Sequence, residues 1–231
     1  MIVLTILIPA YNEEKTILEI LRRVAAQEID GVRFEVVVVD DGSQDQTVEL
    51  LEQNPDLYSK LIKRPRNGGK GAAVKAGLME ATGDYVLFQD ADLEYDPGEY
   101  VKLLKPVLDF GADIVMGSRL VAPPYTRVSY FWHKVGNWFI TLIFNVLNNT
   151  TFTDIYSCYL LYRRDLFAPE DLKTEGWEQH AEILTRAAKK TDNMYEVPIS
   201  YHGRSYAEGK KIRPWDAVSV IWAILRWRFS A

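Results

Sequence analysis

The first half of the chain repeats one pattern: a short apolar run, a break, and a stretch with apolar residues at helical spacing. Residues 3–8, 34–39, 85–89 and 113–116 are such runs, with a shorter one at 61–63. They lack the alternation of a strand that has one wet face, so each reads as a strand covered on both sides. After the first run, Glu13 and Glu14 fall in the first turn of a helix that carries Ile17, Ile20, Leu21 and Val24 on one face. Ser43 with Gln46 reads as a capping box before the next helix, and 72–81 and 97–110 read as further helices. The order βαβαβαβαβ leaves a largely parallel sheet with helices on both faces as the simplest α/β solution. The chain has 231 residues, enough for one substantial core, and shows no repeat, low-complexity tract or linker, so 1–231 reads as a single domain.

In such sheets ligands bind beyond the carboxyl ends of the strands. Acidic clusters fall there: Pro9-Tyr11-Glu13, Asp40-Asp41 and Asp90-Ala91-Asp92. In extended chain, residues i and i+2 point the same way, so Asp90 and Asp92 can face one point. Like charges held that close repel unless a cation sits between them, and a hard divalent ion carrying a diphosphate would serve. An isolated acidic turn would look the same, but three clusters on one rim point to a site. The segment Asn67-Gly68-Gly69-Lys70-Gly71 lacks the spacing and the terminal Ser or Thr of a Walker loop. It reads as a flexible loop beside the site, with Lys70 as a substrate contact.

The second half is less regular. Pro123-Pro124 marks a loop, and Phe131, Val135, Trp138, Phe139, Leu142, Ile143 and Val146 recur at helical spacing. A strand-like return is expected over 153–162, a helix over 177–190, a strand over 194–200 and a last helix over 215–229. Between them lies a basic loop with His202, Arg204, Lys210, Lys211 and Arg213. His133 and His180 read as structural. The net charge of −5 argues against nucleic acid as a partner, and the only cysteine, Cys158, permits no intrachain disulfide, which fits a reducing cytosol. No basic leader or cleavage site precedes the first strand, so no signal peptide is expected. No segment reaches the roughly eighteen uninterrupted apolar residues of a membrane span. The aromatic segments 131–147 and 215–229 have two readings. They could lie in a membrane interface, with Arg226 and Arg228 toward anionic headgroups, or complete the core or a dimer contact.

Four stretches together resemble the successive signatures of family-2 glycosyltransferases: Ile8 to Glu13, Val39 to Thr47, Asn67 to Gly71, and Gln89 to Glu94. Gly117-Ser118-Arg119, Asp154 to Arg164, and Val197 to Tyr201 before Arg204 make the likeness closer to the dolichol- and polyprenyl-phosphate mannosyltransferase-like branch. The resemblance implies the GT-A fold. Residues 1–120 would form its Rossmann-like nucleotide-sugar-binding half, and 121–231 a helical acceptor-side half. It implies that Pro9, Tyr11, Glu13, Val38, Asp40 and Asp41 line the nucleotide pocket. Asp90, Ala91, Asp92 and Glu94 would meet the diphosphate, with Asp90, Asp92 and Glu94 on Mg2+ or Mn2+. Glu94 stands where a Gln is common in the family. Asp92, Arg119 and Arg204 are the expected catalytic residues, with Arg127 and Lys210 as weaker phosphate contacts.

The activity so implied is inverting transfer of a hexose from a GDP- or UDP-sugar to a polyprenyl phosphate. It would take place peripherally on the cytoplasmic face of the membrane, with homo-oligomerisation left open. An acceptor phosphate is already anionic and needs no general base. A sugar-hydroxyl acceptor would need one, and Asp154, Glu178 and Glu182 are the candidates. A non-catalytic nucleotide-sugar-binding protein is the remaining reading, against which the intact Asp90 and Asp92 argue.

Overall fold

Seven strands form one sheet in the order β3-β2-β1-β4-β6-β5-β7 in the computed structural model, which describes residues 1–121, 131–203 and 216–230. β1 (Ile2–Ala10) lies between β2 (Val32–Asp40) and β4 (Tyr85–Phe88) and is parallel to both. β3 (Lys60–Lys63) extends the sheet beyond β2. On the other side β6 (Leu160–Arg163) enters antiparallel between β4 and β5 (Ile114–Ser118), and β7 (Met194–Pro198) runs parallel to β5. In β1, Leu4, Thr5, Ile6, Leu7 and Ile8 are consecutive and all fully buried. Successive side chains point to opposite faces, so both faces are covered, as the unbroken apolar run demanded.

The helices are α1 (Ile17–Ala25), α2 (Thr47–Glu52), α3 (Lys70–Leu78), α4 (Tyr100–Phe110), α5 (Phe131–Asn148), α6 (Gln179–Ala188) and α7 (Asp216–Phe229). In α1 the expected face of Ile17, Ile20, Leu21 and Val24 is fully buried. Each such side chain contributes about 1.5–3 kcal/mol relative to exposure. Arg127 and Pro123-Pro124, and the segment 204–215 with Arg204, Lys210, Lys211, Arg213 and Trp215, lie outside the described residues.

Four expectations need correction. β1 continues through Pro9 and Ala10, and α1 starts at Ile17, because the Glu13 carbonyl accepts the N–H groups of Thr16 and Ile17 in a turn first. The capping box does not form: the Ser43 hydroxyl accepts the Asn12 N–H at 2.9 Å, and Gln46 gives its N–H to Glu14 at 3.1 Å. Of the expected 153–162 strand only 160–162 is extended, and the strand runs on to Arg163. Before it, Thr153 and Asp154 give their N–H groups to Glu196, and Cys158 gives its own to the Tyr95 hydroxyl. Finally, α5 does not complete the core along its whole apolar face. Ile140, Thr141 and Phe144 are buried, whereas Trp132, Trp138, Phe139 and Val146 are exposed. α7 divides similarly, burying Val220, Ala223, Ile224 and Trp227 and exposing Val218, Trp222, Leu225 and Phe229.

Candidate active site

The carboxyl ends of β1, β2 and β4 share one edge, since Ala10 pairs with Asp40 and Leu7 with Phe88. The loops leaving β1 and β2 interlock there. Besides the Asn12–Ser43 bond, Gln44 donates to Asn12 Oδ1 at 2.9 Å and Glu13 donates to Thr47 Oγ1 at 2.9 Å. The buried Asp40 spends Oδ2 on the N–H groups of Gly42 and Ser43, which turns the chain. Asp41 reaches across to the glycine loop. It accepts the N–H groups of Gly68 and Gly69, the latter at 2.9 Å, and pairs with Arg64. Pro9, Ala10, Tyr11, Glu13 and Asp41 thereby line one side of a cavity of about 310 Å³. That volume is at the lower end for small-molecule sites.

The glycines of 67–71 turn out to serve close packing. A Cβ on Gly69 would lie 2.7 Å from the Glu175 carbonyl oxygen, and one on Gly71 would lie 2.6 Å from the Glu175 carbonyl carbon. Ala72 also donates to that carbonyl at 3.1 Å. The 175–177 chain is thus drawn onto the first turn of α3, and Gly176 and Trp177 join the cavity wall. Gly71→Ala should accordingly cost ~1–3 kcal/mol by overpacking. An unchanged denaturant midpoint would show that this contact is loose.

Lys70, at the start of α3, forms an ion pair with Asp90 and lies 5.4 Å from the Trp177 ring centre. Burial disfavours the Lys70 charge, but Asp90 outweighs that and keeps the ammonium protonated. Burial likewise raises Asp90, and the neighbouring Lys70 overcomes this to hold the carboxyl below its usual range. Burial and then the Lys70 charge push His180 down to about 3, so its ring is neutral near pH 7, in keeping with a structural role.

Asp90, Ala91, Asp92 and Glu94 all line the cavity. Asp92 Oδ1 accepts the Glu94 N–H at 3.1 Å, and the chain turns through Leu93 with a left-handed φ of 63°. Such a conformation costs a non-glycine residue about 1–2 kcal/mol. Glu94 Oε2 accepts the Tyr201 hydroxyl at 2.7 Å, and the Glu94 carbonyl accepts the His202 N–H at 3.0 Å. Tyr201 closes the cavity on that side. Among the described residues no group of three or more His, Cys, Asp or Glu side chains is placed to hold a metal unaided. The donor set still fits a divalent ion bound together with a diphosphate. Mg2+ takes one or two carboxylates and completes its octahedron with phosphate oxygens and water. The Lys70 ammonium on Asp90 shows that this carboxylate already accommodates a cation.

Other expected site residues lie elsewhere. Val38 is fully buried in β2, and neither it nor Asp40 lines the cavity. Arg119 is behind the wall. Its Nε and Nη2 bond Asp154 at 2.7 and 2.9 Å, Nη2 also bonds the Tyr156 carbonyl, and its guanidinium lies 5.0 Å from the Tyr201 ring centre. Of the three candidate bases, Asp154 is fully buried in this pair. Glu182 is fully buried, accepting from Lys173, Thr174 and Arg186. Glu178 accepts the Gly176 N–H at 3.3 Å. None of the three lines the cavity. Trp177 was invisible to sequence reasoning because only the tertiary approach of Glu175 to Gly69 and Gly71 brings it in.

The sequence profile described as Glycosyl transferase family 2 matches residues 5–168. A dolichol-phosphate mannosyltransferase of Pyrococcus furiosus is 28% identical over 230 residues, covering 96% of this chain and 64% of its own length. The low-salt glycan biosynthesis hexosyltransferase Agl6 of Haloferax volcanii is 32% identical over 203 residues, covering 87% of this chain and 48% of its own. The chain therefore spans between about half and two thirds of these two relatives. Glucosyl-3-phosphoglycerate synthase from Mycobacterium tuberculosis, solved with Mn2+, UDP and phosphoglyceric acid, superposes with a TM-score of 0.74 at 20% identity, over 100% of this chain and 80% of that one. TarS of S. aureus, solved with UDP-GlcNAc, gives 0.65 at 20% identity over 97% and 66%. Likeness at that identity shows the fold, the GT-A arrangement that the sequence resemblance implied.

Proposed function

The chain belongs to glycosyl transferase family 2, and we propose that it is an inverting hexosyltransferase acting from a nucleotide-diphosphate sugar onto a polyprenyl phosphate. The observation that carries this reading is the cavity that Asp90 and Asp92, beyond β4, line together with a wall of Pro9, Tyr11, Glu13 and Asp41. The nucleoside would lie along that wall and the diphosphate beside Lys70 and the acidic loop. Asp90 and Asp92 would hold Mg2+ or Mn2+, which supplies electrostatic stabilisation of the leaving diphosphate when bound. The M. tuberculosis synthase crystallised with Mn2+ and UDP on the same fold supports this assignment. Lys70 would turn from Asp90 toward the donor phosphates, adding a second positive charge where negative charge develops.

A phosphate acceptor agrees with the state of the three carboxylates that could have served as a base. Two are buried in ion pairs and the third holds a backbone N–H, so none is placed to take a proton from a hydroxyl. Positioning of the acceptor phosphate falls to Arg204 in this reading, with Arg127 and Lys210 in support. Arg119 acts by holding Tyr201 against the cavity. Arg204→Ala should then raise the acceptor KM at least ~10-fold, the loss of one charge-assisted bond of ~1.5–3 kcal/mol, with nucleotide affinity in calorimetry unchanged. An equal loss in both would place Arg204 on the donor.

The reaction is tested by incubating the protein with GDP- and UDP-hexoses, Mn2+ or Mg2+ and a polyprenyl phosphate, followed by mass analysis. A lipid-linked monosaccharide supports the proposal. A product extended on a sugar hydroxyl gives the reaction to glycan synthesis instead, and nucleotide binding without turnover would favour a binding protein.

Such an acceptor lies at a membrane, and no helix among the described residues is long and apolar enough to cross one. We assign the contact to the exposed faces of α5 and α7, where Trp132 is 77% and Phe229 75% exposed and Arg226 and Arg228 close the last turn of α7. In this reading the protein would bind peripherally, and the cytoplasmic face is part of the same proposal. Trp132→Ser with Trp138→Ser should weaken binding to anionic liposomes by roughly tenfold or more, at ~1.5–3 kcal/mol per large apolar side chain. Unchanged flotation would leave the face to a protein contact.

A further inference from the structure

One buried side chain, Gln89, bonds both ends of the acidic loop. This residue is fully buried directly after β4, and its backbone N–H donates to the Leu7 carbonyl of β1 at 3.0 Å. Its amide nitrogen donates to the Asp90 carbonyl at 3.0 Å and to the Tyr95 carbonyl at 3.3 Å, which are the two ends of the loop. Its amide oxygen accepts the Tyr100 hydroxyl at 2.7 Å and the Tyr159 hydroxyl at 2.8 Å. A carboxamide has two donors and two acceptor positions, and here all four are used. The orientation is therefore set: a flipped amide would turn its oxygen onto two carbonyl oxygens.

The two tyrosines come from different elements, Tyr100 from the start of α4 and Tyr159 from the residue before β6. The Tyr95 ring packs on Tyr159 at 4.9 Å, so the loop's far end is tied to the same cluster. Between the two anchored carbonyls lies Leu93 in its left-handed conformation. Such a residue persists only where its surroundings over-determine it. An apolar side chain at 89 would fill the space and leave both carbonyls and both hydroxyls without this partner.

We propose that Gln89 is a positioning residue for the donor site. It fixes the two ends of the 90–95 loop so that the carboxylates of Asp90 and Asp92 are spaced for one divalent ion before the nucleotide arrives. The proposal rests on the reading that these carboxylates take a divalent ion with a nucleoside diphosphate, and it gives Gln89 no contact with substrate.

Calorimetry of Mn2+ binding in the presence of UDP and of GDP, beside nucleotide binding in chelator, tests it. The wild-type protein comes first. Absence of metal-dependent nucleotide binding there overturns the functional reading, and the proposal with it. Given wild-type binding, Gln89→Met should weaken Mn2+ by at least ~10-fold, the usual loss when a residue supporting metal ligands is removed. Metal-free nucleotide affinity should stay the same. Tyr100→Phe with Tyr159→Phe keeps Gln89 and removes both bonds that orient its oxygen, so a smaller loss in Mn2+ affinity is expected. Wild-type Mn2+ affinity in folded Gln89→Met overturns the proposal, as does an equal weakening of metal-free nucleotide binding. If Gln89→Met does not fold, wild-type Mn2+ affinity in the double tyrosine variant overturns it.

Discussion

Asp92→Asn is expected to lower turnover by at least ~10²-fold, a typical loss when electrostatic stabilisation of developing charge is removed. Asp92 is the better probe of the acidic pair because Asp90 is already engaged by Lys70. Removing Asp90 would leave the half-buried Lys70 ammonium without its counter-ion and confuse a binding effect with a folding one. Asp92 lines the cavity and accepts the N–H of Glu94, a bond that the Asn carbonyl oxygen can replace. The substitution thus keeps the loop and takes away one negative charge, the one that would hold the metal in the proposed reading. Mn2+ affinity should fall together with turnover, and thermal stability should be nearly constant. Turnover close to wild type in Asp92→Asn, or full activity after chelation, would falsify a metal-bound leaving group.

The elements that could be read in advance are those whose environment is uniform along the chain. β1, β4 and the second half of β2 are buried on both faces, so their sequences carry a nearly continuous apolar signal, and the acidic residues at their ends were placed on one rim by topology alone. What escaped depends on partners far away in sequence. β6 slots between β4 and β5 against the strand order, and four residues of strand carry no signal of that insertion. Ser43 looked like a cap because its spacing to Gln46 is right, yet Asn12, which precedes it by 31 positions, takes its hydroxyl. The glycines of 67–71 suggested a flexible loop, whereas two of them allow Glu175 to approach and so deliver Trp177. Arg119 showed its charge but not its burial: a guanidinium that sequence chemistry offered to an acceptor phosphate is committed to Asp154 instead.

That pair gives the second large effect, and it separates a base from a brace. If Asp154 were a general base, Asp154→Asn would fold normally and lose roughly 10²–10⁴-fold in turnover. The structure leads to the opposite expectation. Asp154 is fully buried, and both of its oxygens bond Arg119, whose own side chain is 15% exposed. Removing the negative charge leaves a guanidinium largely out of water without its counter-ion, which costs ~3–5 kcal/mol when a buried pair is broken. Against a total stability of about 5–15 kcal/mol, that is a large fraction. Denaturant unfolding should show the loss, and the remaining folded enzyme should keep a pH–rate profile without a new limb. The double variant Arg119→Met with Asp154→Leu should recover most of the stability, because apolar replacement of a buried pair is often neutral or better. Its activity then reports on the pair as a unit. Recovered stability with poor acceptor use would show that the pair, through Tyr201, shapes the cavity for the acceptor. A stable Asp154→Asn enzyme with turnover down ~10³-fold would restore Asp154 as the base, and with it the sugar-hydroxyl acceptor.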